Sequence, residues 1–400
     1  MTKLNELIQQ LCPDGVEYKT LGELGKFFGG LTGKSKDDFT DGNAKFITYK
    51  NVYANPSLQI DVEDRVKIAD GERQRTLQYG DVIFTGSSET PDECGISSVV
   101  TVKTEEKLYL NSFCFFFRFD DLNIMLPDFA KHLFRSNELR YQIGKTASGV
   151  TRYNVSKKLM EKVSIPVPPL PVQSEIVRIL DNFTELTAEL TAELTARKKQ
   201  YEYYRDKLLT LDVFLGGTSD VAQRMLGEIC NLQSGKAISA YLISDTQTAE
   251  NPIPCYGANG LRGYVSTSNE SGDKPIVGRQ GALCGNVCFA TGSYYATEHA
   301  VVVTDKGFFN SRFLYHLLVN ADLNQYKTAG AQPGLSVARL NEVKVPVPTR
   351  TVQDRIANVL DNFDAICSDL KIGLPAEIAA RQKQYEFYRD KLLTFKELGA

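Results

Sequence analysis

One stretch constrains this chain more than any other, because it occurs twice. Residues 163–210 read VSIPVPPLPVQSEIVRILDNFTELTAELTAELTARKKQYEYYRDKLLT. Residues 343–394 repeat the Val-x-x-Pro-Val-Pro lead-in, the Leu-Asp-Asn-Phe and the Arg-x-Lys-Gln-Tyr-Glu-x-Tyr-Arg-Asp-Lys-Leu-Leu-Thr ending. Pro166, Gln173 and Asn182 match Pro346, Gln353 and Asn362 at an offset of 180, and Tyr201 matches Tyr385 at 184, so the second copy is four residues longer in its middle. Within the first copy the spacing alternates four and three through Val172, Ile176, Ile179, Phe183, Leu186 and Leu190, then Leu194, Arg197, Tyr201, Tyr204 and Leu208. That is a heptad seam. Consecutive fours in the Thr-Ala-Glu-Leu repeats make a stutter in it. The prolines at 166, 168, 169 and 171 predict that helix begins only after Pro171. Roughly 37 residues from Glu175 would then form a rod of about 55 Å at ~1.5 Å per residue.

A lone helix would leave this seam wet, and the second copy supplies a partner. Two like units about a pseudo-twofold axis would pair the helices antiparallel, with whatever precedes each helix at opposite ends. Two unrelated amphipathic surface helices are the alternative reading.

The regions before the helices are faintly related too. Leu21-Gly22-Glu23 returns as Leu226-Gly227-Glu228, Gly33-Lys34 as Gly235-Lys236, and Cys94-Gly95 as Cys284-Gly285. The β-branched and aromatic runs 79–85, 109–119, 276–277 and 295–304 predict strands, and amphipathic helices are expected near 128–142 and 310–326. The fold class is therefore α+β: two similar strand-rich domains, each followed by a long helix, the helices pairing as an antiparallel coiled coil. The expected divisions are 1–165 and 213–345 for the globules, with 166–212 and 346–400 for the helices. Glycine-rich connectors at 29–36, 87–95, 257–263 and 278–285 are the candidate binding loops.

Composition fits an ordinary globular protein, with 400 residues, 42% hydrophobic and 24% charged. No apolar run reaches the ~18 residues of a membrane span, and the N-terminus lacks a signal-peptide shape, so a cytoplasmic location is expected. Eight scattered cysteines predict reduced, buried thiols. A net charge of −3 argues against indiscriminate polyanion binding and leaves a local basic patch open.

No catalytic centre emerges. Gly33-Lys34-Ser35 resembles the end of a phosphate-binding loop, but Phe28 stands where the first glycine is required. A basic loop on backbone phosphate and a plain solvated turn both remain open for it. Pro91-Asp92 with Glu105-x-Lys107 imitates a metal-dependent nuclease signature, without a counterpart in the second globule. Cys284, Cys288 and His299 could ligate a metal or pair a thiol with a base, but they read first as packing residues beside a strand. Neither an Asn-Pro-Pro-Tyr loop nor a G-x-G-x-x-G loop is present.

The carrying motifs are CPDGVEYKTLGE at 12–23, FTGSSET at 84–90, IPVPPLPVQ at 165–173, YGANGLRGY at 256–264, GRQGALCGNV at 278–287 and the YEYYRDKLL helix ends. With these, the chain resembles the specificity (S) subunits of type I restriction-modification enzymes over nearly its whole length. The resemblance implies a non-catalytic protein whose two target-recognition domains each read half of a bipartite site in double-stranded DNA. The helices would form a spacer and dock two methyltransferase (M) subunits, with restriction (R) subunits joining through them. No cofactor would be bound by this chain; S-adenosylmethionine, ATP and Mg would belong to the partners. One departure is Gly373-Leu374-Pro375, where Pro375 would kink or restart the second helix. Readings from other classes are a coiled-coil scaffold carrying protein- or glycan-binding modules, and a thiol or metal hydrolase using Cys284 and His299.

On this reading Lys34, Lys36 and Lys50 hold phosphate in the first globule, Ser87, Ser88 and Glu89 lie nearer base edges, and Thr151, Arg152 and Asn154 add a contact loop. In the second globule Asn259, Arg262, Arg279 and Gln280 are the contacts, joined by Lys236, Tyr256, Thr297 and His299. Coiled-coil packing and M-subunit docking fall to Phe183, Leu186, Leu190, Leu194, Tyr201, Tyr204 and Leu208 in the first helix, and to Phe363, Tyr385, Tyr388 and Leu392 in the second. If the rod is a ruler, one more Thr-Ala-Glu-Leu unit, about 6 Å of helix, should widen the gap between half-sites by one or two base pairs of ~3.4 Å each.

Overall fold

The computed structural model describes residues 2–210, 221–281, 283–328, 333–369 and 372–399. The expected boundary at 212/213 lies outside the described residues. The chain forms two compact units, Met1–Glu189 with Ile378–Ala400, and Leu190–Glu377.

In the first unit a four-stranded antiparallel sheet has the order Gly25–Gly29, Cys114–Phe119, Val82–Thr85, Ser97–Val99. The strand Cys114–Phe119 is apolar at nearly every position because both of its faces are covered. Phe115, Phe117 and Phe119 enter one core with Phe84, whereas Cys114 and Phe116 enter another with Ile83, as alternation along a strand requires. The second unit repeats this with Cys230–Ser234, Ala300–Asp305, Lys274–Gly278 and Val287–Ala290 in the same order. There Val301 and Val303 enter one core, and Ala300 and Val302 the other. Each unit also has a parallel pair, Ala44–Ile47 on Leu108–Leu110 and Ile253–Gly257 on Ser293–Ala296. Each closes by pairing its first strand with its last, Glu17–Thr20 with Ser164–Val167 and Gln223–Met225 with Lys344–Pro346.

Several expected elements divide. The run 109–119 breaks where Asn111 Oδ1 accepts from the Phe113 N–H (2.8 Å), and 295–304 breaks at the equivalent place, where Thr297 Oγ1 accepts from the His299 N–H (3.4 Å). Such side-chain turns carry the chain from the parallel pair to the central sheet. The helix expected at 128–142 is two, Pro127–Leu133 and Asn137–Gly144, the second capped by Ser136. The one expected at 310–326 gives way after Ser311–Asn320 to a short 3-10 turn.

The long helix spans Leu170–Leu209, 40 residues, and so starts before Pro171, not after it. Proline is tolerated there because a first-turn N–H has no intrahelical acceptor to lose. The second copy is broken into Arg350–Ser368 and Leu374–Leu392. Pro375 lies in the first turn of the closing helix, and the intervening 369–373 stands where the first copy has Glu189 alone, which accounts for the four-residue surplus. Gly373 N–H donates to Asp369 O (3.1 Å), and a Cβ there would stand 2.5 Å from Ala365 O, so only glycine fits.

Each unit is built crosswise from both copies. In the first, Tyr385 and Leu392 of the closing helix share a core with Val172, Ile176 and Leu180 of the long helix, and Phe183 stacks on Tyr388 (5.3 Å between centroids). In the second, Leu209 packs in the core that holds Ile356 and Leu360, and Tyr204 stacks on Phe363 (5.9 Å). Residue 183 meets 388 and residue 204 meets 363, the reversed order of antiparallel partners.

Two buried polar devices fix each globule to its helices. Gln173 accepts from Leu126 N–H (2.8 Å) and donates to Ile124 O and Pro168 O; Gln353 accepts from Asn310 N–H (2.7 Å) and donates to Phe308 O and Pro348 O. His132 Nε2 meets Asp181 (2.8 Å) and its Nδ1 the Tyr385 hydroxyl (2.9 Å); His316 Nε2 meets Asp361 (2.7 Å) and its Nδ1 the Tyr201 hydroxyl (3.3 Å). Burial lowers both histidines, so neutral rings donate to carboxylates. Burial also pushes Asp181 and Asp361 upward, but hydrogen bonds from His132 and Lys131, and from Arg312 and His316, outweigh it and hold them below the ordinary value.

Candidate nucleic-acid interface

In the first unit six residues expected at the site converge on one open cavity of about 680 Å³: Lys50, Ser87, Ser88, Glu89, Thr151 and Arg152. Loops separated in sequence meet because Ser87–Ser88 pairs with Tyr153–Val155, setting Ser87 opposite Asn154. Four further residues complete the wall, Tyr49, Tyr53, Glu93 and Phe113. The two tyrosines come from the helix Tyr49–Ala54, started by Thr48, which accepts from Asn51 N–H (3.3 Å). Their i, i+4 spacing was the available signal, obscured because that segment has no long apolar periodicity.

The polar groups are pre-set. Glu93 accepts from the Tyr53 hydroxyl (2.8 Å) and from Ser88 Oγ (3.2 Å), and these bonds hold its carboxyl below the usual range. Arg152 donates through Nε and NH2 to Ser87 Oγ (3.2 and 2.9 Å) and lies over the Phe113 ring (5.6 Å). A guanidinium fixed in this way loses little freedom on binding. Lys34 does not join the cavity. Its ammonium lies 2.6 Å from Glu72, its side chain is only 9% exposed, and this contact with Gln74 and Ala69 brings the Glu72 carboxyl to about 2. Lys34 thus braces its own loop, contrary to the expectation that it is presented to phosphate. Lys36 is exposed but sits in a short 3-10 turn beside Asp37 and Asp38.

The same register recurs in the second unit. Gly86 N–H donates to Phe113 O and Gly86 O accepts from Val155 N–H; Arg279 N–H donates to His299 O and Arg279 O accepts from Leu335 N–H. Arg279 therefore stands where Gly86 stands, Gln280 where Ser87 does, and His299 where Phe113 does. Gln280 is exposed and pairs with Gly334 as Ser87 does with Asn154. Arg279 NH1 donates to Ser234 Oγ (2.8 Å), and His299 Nε2 lies 3.2 Å from Glu298, a residue not expected at the site.

Other expected contacts fall elsewhere. Asn259 sits at the tip of the hairpin Ile253–Gly257/Gly260–Val265, where Gly260 takes φ +93°, and opens onto a separate cavity with Asn286 and Asp322. Arg262 and Lys236 are exposed. Thr297 is fully buried, its hydroxyl used in the turn to His299, so it cannot touch a ligand. Tyr256 is half-buried and packs edge-on against Tyr294 (5.9 Å). On the helices, Leu186, Leu190, Leu194, Tyr201 and Leu208 are half-buried seam residues, and Tyr385 and Leu392 are buried, which removes the last two from any docking surface. The twin positions Tyr203 and Phe387, 58% and 62% exposed, were missed because they lie off the seam. Cys284 is buried, and burial pushes the Cys288 thiol up to about 12, far from a reactive thiolate. Among the described residues no group of three His, Cys, Asp or Glu could hold a metal, and no helix is long and apolar enough to cross a membrane.

Comparison with known proteins gives the family. The family model described as type I restriction modification DNA specificity domain matches residues 13–197 and 218–380. The specificity subunit of the Escherichia coli type I restriction enzyme EcoprrI is 47% identical over 209 residues, 51% of this chain and 51% of that protein. The Escherichia coli EcoR124I/EcoR124II specificity subunit is 34% identical over 270 residues, 60% of this chain and 65% of that one. The chain thus spans about half to two thirds of these curated relatives. Among solved structures, the S subunit of a type I system from M. genitalium matches with a TM-score of 0.58 at 18% identity, covering 95% and 96% of the two chains. A chain solved in work on complex assembly and conformational transition of the type I R-M system matches with a TM-score of 0.64 at 18% identity, covering 96% and 98%.

Proposed function

Because the chain belongs to the type I restriction modification DNA specificity domain family, we propose that it is a non-catalytic recognition subunit, each of its two units reading one half of a bipartite site in double-stranded DNA. The observation that carries this reading is the repeated frame with different side chains at one register: Gly86, Ser87 and Phe113 in the first unit, Arg279, Gln280 and His299 in the second. A scaffold that only bound one partner twice would have reason to repeat those residues as well. Phosphate contacts would come from exposed Lys36, Lys50, Lys236 and Arg262, and base contacts from the cavity walls.

Two methyltransferase subunits would dock on the helices, with Tyr203 and Phe387 as exposed twin anchors, and restriction subunits would join through them. S-adenosylmethionine, ATP and Mg would be theirs, and the complex would work in the cytoplasm. The test is duplex binding by the chain with its methyltransferase partner across a salt titration. Affinity should fall steeply as salt competes for phosphate, and Lys50→Ala should lower the slope of log K against log salt by about one while sparing sequence preference. Binding to neither specific nor random duplex at low salt would reject the proposal.

A further inference from the structure

We infer that Glu298 is a specificity-determining residue of the second unit, and that with Arg279 it reads a G·C pair from the major groove; this rests on the proposal that the unit reads DNA. The starting observation is a concentration of unmet hydrogen bonds. Among the described residues, Arg279 Nε, Glu298 Oε2 and His299 Nδ1 are all shielded from water and have no partner. The three residues form one connected group, since Arg279 N–H donates to His299 O (2.9 Å) and His299 Nε2 meets Glu298 Oε1 (3.2 Å). Buried polar atoms left unpaired are costly and rare, and three together mark a group that gains its partners only when its side chains turn toward a ligand. Their place is the register that, in the first unit, sets Gly86 beside Phe113, and Phe113 lines the cavity there.

The chemistry selects among ligands. The group offers the Arg279 guanidinium as donor beside the Glu298 carboxylate as acceptor. A phosphate, which only accepts, would satisfy Arg279 and be repelled by Glu298. A base pair offers both kinds of atom. Across the major groove G·C presents guanine N7 and O6 as adjacent acceptors and then the cytosine N4 amino donor, whereas A·T places its amino group between two acceptors. A two-pronged guanidinium followed by a carboxylate matches the first order. Arg279 takes guanine and Glu298 takes cytosine N4. The first unit has Ser112 and Phe113 at the corresponding positions, so it must read differently.

The test maps methylated sites in cells that carry the chain with its methyltransferase partner, for wild type, Glu298→Gln and Arg279→Lys. The wild-type half-site assigned to this unit should contain a G·C pair. Glu298→Gln should lose roughly 5- to 150-fold of discrimination at that one position, the range for a good base contact, and Arg279→Lys should relax the same position. The other half-site should stay intact, which reports that the variants are folded. An unchanged half-site in Glu298→Gln, or one made only of A·T pairs, overturns the inference. Absence of any bipartite pattern in wild type would instead strike the DNA-reading proposal. A variant that methylates nothing is assayed as purified complex on duplexes with that G·C pair kept or changed to A·T, and a retained preference for G·C in Glu298→Gln overturns the inference too.

Discussion

In the first unit the strand Ala44–Ile47 runs on into the helix Tyr49–Ala54, which walls an open cavity with Tyr49 and Tyr53. In the second unit the equivalent strand Ile253–Gly257 turns back as a hairpin, and the position of Phe113 is taken by His299, paired with Glu298. Behind this divergence the frames agree in sheet order, in the Gln173 and Gln353 anchors, and in the Tyr–His–Asp groups. The difference teaches a division of labour: buried hydrogen bonds and sheet register fix where loops emerge, and the loops are then free to vary. Function sits where packing imposes least.

The frame can be broken most severely at its glutamines. Gln173→Ala and Gln353→Ala each take the partner from three backbone groups, with Pro168 O and Pro348 O the buried ones, and should each destabilise their own unit by roughly 3 kcal/mol, read by denaturant unfolding. Clearly unequal losses would show that the anchors are not equivalent.

The histidines should give both units the same pH dependence. Their folded values are lowered by burial from 6.5, so the unfolded chain takes protons first, and stability should be full above about 6.5 and decline as pH falls through that range. Asp181 and Asp361, held below 3.8, add their loss only at still lower pH. His132→Gln and His316→Gln should flatten the decline between pH 7 and 5 in thermal melts of their own unit. A decline undiminished in the double variant would assign it to other groups.

Smaller effects separate the crosswise contacts. Tyr385→Phe should cost the first unit about 1 kcal/mol, and Tyr201→Phe less in the second, because the bond to His316 is longer (3.3 against 2.9 Å). Unfolding followed by probes placed in each unit checks the assignment; a loss in the wrong unit would undo the crosswise pairing. Smallest of all, Lys34→Ala should loosen the loop around Glu72 and leave the salt slope of duplex binding unchanged. A slope lowered by one would return Lys34 to phosphate.

The sequence by itself determined the duplication, the α+β class, the helices and the copy offset, because a heptad seam and a repeated motif are local patterns that periodicity and spacing display. It also marked Ser87, Ser88 and Glu89 as candidate contacts, through a glycine-rich loop that local composition exposes, with Thr151 and Arg152 as a further contact loop. Tertiary structure decided the rest. Whether Lys34 faces a ligand depends on Glu72, 38 residues away, and whether Thr297 is reachable depends on strands packed over it. Glu93 and Glu298 carried no local signal, since a carboxylate's partners are chosen by which loops the sheet brings together. Likewise, Tyr385 serves the first unit and Tyr201 the second, because each imidazole bonds the hydroxyl that packing delivers to it, and that hydroxyl lies on the other copy of the repeat.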